Sequence, residues 1–136
     1  MKIPIESIPQ VALAFMNHDH AEFVELREAL LAAFATIIEA DNLPELLGGF
    51  LEHTRVHFAE EERQMTLAGF PAFPVHKAEH DAVLADMVNR IAQWHVDRNH
   101  ASLVAWLDQP VGEWFINHVR TMDFVTAGFI HAQADR

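Results

Sequence analysis

Cysteine and tyrosine are both missing from this 136-residue chain, and basic residues are scarce. Without cysteine there is no disulfide framework, no thiolate metal site and no thiol nucleophile. Without tyrosine, tyrosyl-radical chemistry is excluded. Nine Lys and Arg against twenty Asp and Glu leave a formal net charge of −11. That is the wrong sign for a nucleic-acid binder, whose affinity comes from neutralising phosphates. The same charge argues against a membrane-surface role. Long apolar runs are lacking too. The segment "MKIPIESIPQVALAFM" has one lysine and a six-residue apolar run behind Glu6 and two prolines. It is too short and interrupted for a signal peptide, and nothing approaches the ~18 apolar residues of a membrane span. No repeat, linker or low-complexity segment divides the chain. The expectation is a soluble, cytoplasmic protein with a single domain over residues 1–136, without nucleic-acid or membrane partners.

What is present is helical pattern. Hydrophobic residues make up 51% of the chain, enough for a packed core. Residues 18–39 contain no Gly or Pro, and Phe23, Leu26, Leu30, Phe34 and Ile37 recur at spacings of three and four. Asp41 or Asn42 can cap a second helix from about Pro44 to Met65 or Leu67. "AGFPAFP" breaks the pattern, and a third helix follows from about Pro74 to His95. After "VDRNH" a last helical region runs from about 101 to 131. Pro110 within it lacks an amide and clashes with the carbonyl of Trp106, which predicts a kink or break near Asp108. The fold class is all-α, an antiparallel up-down four-helix bundle.

The polar residues fall on the inward faces of these helices. The stretch "HFAEEERQMTLAGFPAFPVHKAEH", residues 57–80, holds three histidines and four carboxylates among apolar residues. Partners at i+4 lie within about 40° of each other on a helix. His57 and Glu61 therefore share a face with Phe50, Thr54 and Met65. His76 and His80 share theirs with Val83, Met87, Ile91 and Trp94. His18 and His20 are about 200° apart, so only one of them points inward. His20, in line with Val24 and Leu31, is that one. His118 shares a face with Trp114, Phe115, Met122 and Val125. A lone inward histidine is more often a hydrogen-bonded core residue than a ligand. Here every helix carries one, and each buried imidazole needs a partner or costs several kcal/mol in lost hydration. A shared metal centre satisfies all of them together.

The run His57-Phe-x-x-Glu61-Glu62-x-x-Met65, then Gly-Phe-Pro, His76-x-x-x-His80 and Trp114-x-x-x-His118-x-x-x-x-Asp123 resembles the hemerythrin family. Asn17-x-x-His20 is similar to that family's first-helix segment, although Asn17 and Asp19 replace its usual Asp and Gln. The resemblance spans residue 17 to about 126. It implies a non-haem di-iron centre, with His76, His80 and His118 on one iron and His20 and His57 on the other. Glu61 and Asp123 would bridge the two. Asp123 lies five residues after His118, about 140° away on an ideal helix, so spacing alone does not pair them. Its place rests on the resemblance.

Imidazole and carboxylate ligands suit iron. Five histidines, two bridging carboxylates and a bridging oxygen atom fill all but one position of two octahedral irons. The open one is on the iron with two histidines. In the family its ligand is dioxygen, bound reversibly for storage, delivery or sensing. Phe58, Trp114, Phe115 and Val119 are candidates for an apolar wall there, with plain core packing as their other reading. Phe115 replaces the family's usual Leu, which suggests a gate. Two further classes compete: a di-iron enzyme that reduces peroxide or nitric oxide or oxidises ferrous iron, and a metal-sequestering bundle. Oxygen-activating sites are richer in carboxylates, with paired Glu-x-x-His motifs that are not found here, so the five histidines favour oxygen binding. His53, one turn before His57, is read as solvated or capping, with a place near the site as the alternative. His18, His95, His100 and His131 are read as surface residues.

Overall fold

The computed structural model describes residues 2–36 and 42–134. Helices α1 (Ala14–Phe34), α2 (Leu43–Ala68), α3 (Phe73–Asp97) and α4 (His100–His118) follow a short 3-10 turn at Ile5–Ser7. After α4 a π-helical turn, Val119–Asp123, leads directly into α5 (Phe124–Ala134), so the three form one rod. The architecture is an all-α four-helix bundle.

Local chemistry sets the ends of these elements. Pro44 sits in the first turn of α2, where its missing amide costs nothing. Gly69 closes that helix in the left-handed region at φ 66°, and the Phe70 amide reaches back to the Met65 carbonyl at 3.0 Å. Pro74 opens α3 in the same way, and the Asn99 side chain caps α4 by accepting from the Ser102 amide at 3.0 Å. The N-terminal segment is held to α1 by Asn17, whose side chain bonds both the amide and the carbonyl of Val11, at 2.9 and 3.0 Å.

Two expectations need correction. The first helix starts earlier than residue 18 and ends at Phe34, and the connection between α1 and α2 begins at Ala35. Ile37, Ile38 and Asp41 lie outside the described residues. There is also no break near Asp108: α4 runs unbroken from His100 to His118 with Pro110 inside it. Against this turn lies Arg27, fully buried on α1. Its guanidinium donates to the Leu107 carbonyl at 2.9 Å and the Asp108 carbonyl at 2.8 Å, next to the place where proline interrupts the helix's own bonding.

The antiparallel course sorts the interior into two halves. The end of α1, the start of α2, the end of α3 and the start of α4 bring together Leu30, Leu47, Ile91, Leu103 and Leu107 in an apolar core. The opposite half receives the histidines.

Candidate metal centre

His20 from α1, His57 and Glu61 from α2, His76 and His80 from α3, His118 from α4 and Asp123 from the π turn are all buried, none more than 8% exposed. They form two groups that share both carboxylates: His76, His80 and His118 with Glu61 and Asp123, and His20 and His57 with the same pair. Within each group the donor atoms lie within 4.8 Å of one another.

Each carboxylate divides its oxygens between the groups. Glu61 Oε2 is 2.6 Å from His57 Nε2 and 3.9 Å from His20 Nε2, while its Oε1 is 3.2 Å from His80 Nε2 and 3.6 Å from His76 Nε2. Asp123 Oδ2 is 2.9 Å from His20 Nε2, and its Oδ1 is 3.1 Å from His118 Nε2 and 3.2 Å from His76 Nε2. Donors about 2.1 Å from a common ion and at right angles stand about 3 Å apart, so these separations suit ligands of one metal. The π turn explains how Asp123 arrives. It holds one residue more than an α turn, so the fifth residue after His118 falls near where the fourth would otherwise lie.

Three of the outer ring nitrogens are committed elsewhere. His57 Nδ1 meets Asp19 at 2.7 Å, His80 Nδ1 meets Glu62 at 2.9 Å and His76 Nδ1 meets the Thr126 hydroxyl at 2.8 Å. His118 Nδ1 faces Glu79 Oε2 at 3.4 Å. Such bonds fix the tautomer and turn the Nε2 lone pair inward. The inward atoms are mostly orphans: Nε2 of His20, His76, His80 and His118, both oxygens of Glu61 and Oδ1 of Asp123 are buried with no hydrogen-bond partner among the described residues, as are the outer Nδ1 atoms of His20 and His118. Native proteins rarely leave one such group, and seven converging here fit a cation.

The electrostatics agree. Burial pushes Asp123 up, yet His118, His20 and His76 hold it well below the ordinary carboxylate range. Burial and Asp123 push Glu61 up, and His57 and His80 outweigh them to hold it ionised. Burial pushes His57 down, but Glu61 and Asp19 on either side raise it to about 10. Two buried negative charges in one cluster call for a compensating cation.

The family model described as Hemerythrin HHE cation binding domain matches residues 11–130. This chain belongs to the hemerythrin family. It is 40% identical to a bacteriohemerythrin of Ralstonia nicotianae over 110 residues, 81% of this chain and 75% of that protein. A bacteriohemerythrin of Aquifex aeolicus is 29% identical over 93% of this chain and 96% of its own. A hemerythrin of Themiste dyscrita is 29% identical over 67% and 65%. No solved structure gives a significant match. No helix among the described residues is long and apolar enough to cross a membrane.

Beside the cluster lies a small cavity of about 20 Å³. Phe58, Trp114, Phe115 and Val119 line it together with His20, His57, His118 and Asp123, whereas His76 and His80 do not. Phe58 stacks on His80 at 3.7 Å and Trp114 on His118 at 4.8 Å, so the wall also packs the ligand rings. His53 lines the same cavity and is 18% exposed, with Nε2 3.6 Å from Glu22 Oε1. It stands near the site rather than in solvent, because α1 packs over it. His18 is exposed, as its spacing predicts, and His100 accepts a bond from Trp94 Nε1 at 3.0 Å instead of lying free on the surface. Sequence reasoning did not identify Asp19, Glu62, Glu79 and Thr126 as partners of the histidines.

Proposed function

We propose that the chain binds two iron ions and carries dioxygen reversibly, as a store or carrier in the cytoplasm. His76, His80 and His118 would hold one ion and His20 and His57 the other, with Glu61 and Asp123 bridging them. One observation carries this reading. Two shared carboxylates join a three-histidine group to a two-histidine group, and the small cavity is lined by both histidines of the latter but by only His118 of the former. When bound there, a ferrous pair would supply two electrons to dioxygen and recover them on its release.

The side chains define the rest. Asp19 orients His57, and Phe58, Phe115 and Val119 exclude water from the cavity. Its volume of about 20 Å³ exceeds the roughly 10–15 Å³ that a water-sized molecule needs and falls far below that of a site for an organic substrate. A ligand there can have no more than a few atoms. The test is the visible spectrum of anaerobically reduced protein, before air, after air and after deoxygenation, together with metal analysis. Two irons per chain and a band that appears and reverses are expected. Iron-rich growth yielding one zinc and no iron would overturn the metal assignment. A band that decays with release of hydrogen peroxide would favour an enzyme over a carrier.

A further inference from the structure

The cavity beside His20 and His57 is walled mostly by buried side chains, with His53 and Trp114 partly exposed, so a ligand needs a way in. Two residues, Phe23 and Trp114, line both this cavity and a larger groove of about 350 Å³ between α3 and α4. Phe23 is buried, whereas Trp114 is only partly so. Trp114 is therefore the partly exposed wall residue that separates the cavity from the groove. Its one polar atom, Nε1, donates to Glu79 Oε1 at 2.9 Å, and Glu79 Oε2 faces the ring of His118 at 3.4 Å. Resting on the reading of the small cavity as the ligand position, we propose that small neutral molecules reach the metal centre through the α3–α4 groove, with the Trp114 indole as door and Glu79 as its latch.

The groove has the chemistry of such a route. Val83, Met87, Trp106 and Val111 give it apolar walls, and Glu79, Asp86 and Arg90 are its charged residues. Arg90 is matched by Asp86, Nε to Oδ1 at 3.4 Å, which leaves the charge of Glu79 uncompensated within the groove. Apolar walls favour a neutral gas, and a negative rim on a chain of net charge −11 disfavours anions. Phe115 does not line the groove. It stacks on Phe23 at 4.7 Å and meets His20 edge-on at 5.7 Å, which makes it inner wall rather than door.

A door and a wall differ in what they change. A door alters association and dissociation together and leaves the equilibrium untouched, whereas a wall residue alters affinity. Stopped-flow binding of nitric oxide and azide to the iron-loaded, reduced protein tests this. Trp114→Phe keeps the wall and loses the latch. Both nitric oxide rates should rise about tenfold, the scale of one hydrogen bond to a charged group, with Kd moving far less than either rate. Ala82→Trp, at an exposed groove position, should slow both rates without altering the saturated spectrum. Glu79→Gln keeps an acceptor for the indole and removes the charge, so azide association should quicken more than that of nitric oxide. In metal-free protein, xenon pressure should shift the methyl resonances of Val83, Met87 and Val111, since xenon enters dry apolar spaces. Unchanged nitric oxide rates in Trp114→Phe and Ala82→Trp, or no xenon shifts, would overturn the proposal. If even the unaltered protein gives no ligand-dependent band, the reading of the cavity itself fails, an outcome distinct from a band with unaltered rates.

Discussion

A histidine presents one nitrogen to a metal reliably only when its other nitrogen is held, and here the holding residues follow a pattern. Asp19 precedes His20 but serves His57; Glu62 follows Glu61 but serves His80; Glu79 precedes His80 but faces His118. A residue next to an inward one points about 100° away, toward the neighbouring helix, so it meets a ligand there. The clustered histidines were legible because a buried imidazole is conspicuous in an apolar stripe. Their partners were not, because a carboxylate at a helix flank looks like any solvated acid until the neighbouring helix is placed. Replacing Asp19 by Asn keeps the shape and removes the charge. Iron affinity on the His20–His57 side should fall about 10–100-fold while the other side holds, so a chelator titration should become biphasic. Equal retention of both irons would count against the role. His57 adds a second expectation. With its pKa raised to about 10, it is an imidazolium at neutral pH in the metal-free protein and must lose that proton to bind a metal. Calorimetric loading at pH 7, in buffers of different ionisation enthalpy, should therefore show about one more proton released than in His57→Ala.

At the scale of elements, the four helical segments were legible from apolar spacing and from the Gly and Pro punctuation, to within a few residues at most ends. Two features were not, for opposite reasons. Pro110 predicts a break because local sterics are visible in the sequence, whereas Arg27, which bonds the carbonyls nearby, comes from another helix 80 residues away. Asp123 looked misplaced because spacing was counted on an ideal α-helix, and a π turn changes the count. That turn is in effect a one-residue insertion, and it leads to a sharp expectation. Deleting exposed Arg120 should let the rod close as a regular α-helix, with the aspartate now four residues after the histidine and still facing it. The deletion protein should retain its full metal content and melt no lower than the parent. Inserting an alanine at the same place should rotate the aspartate by a further 100° or so and lose the metal. Loss of metal in the deletion protein would show that the wide turn does more than set register.

Across the whole molecule, folding concentrates apolar residues in one half of the bundle and unmatched polar ones in the other. Leu30, Leu47 and Leu107 pack one half with almost no exposure. The other half buries five imidazoles and two carboxylates whose inward atoms are mostly without hydrogen bonds. In the metal-free state only partial compensation exists, chiefly the contact of His57 with Glu61 at 2.6 Å. Burial of polar groups at this density costs stability that the apolar half must offset. Ions that bind the folded chain and not the unfolded one reverse that cost by mass action. Free metal at about 1,000 times its Kd adds roughly 4 kcal/mol. At roughly 3–5 °C per kcal/mol for a chain of this size, that is a rise of about 12–20 °C in melting temperature. Thermal unfolding of loaded and chelator-stripped protein, followed by circular dichroism at 222 nm, measures it directly. The gap should narrow for His57→Ala, which removes a donor from the two-histidine side, and for Asp123→Asn, which removes the charge of a carboxylate that both sides share. Loaded and stripped proteins melting together would mean that the polar half is stable without a cation, and the cluster would then be no ligand sphere.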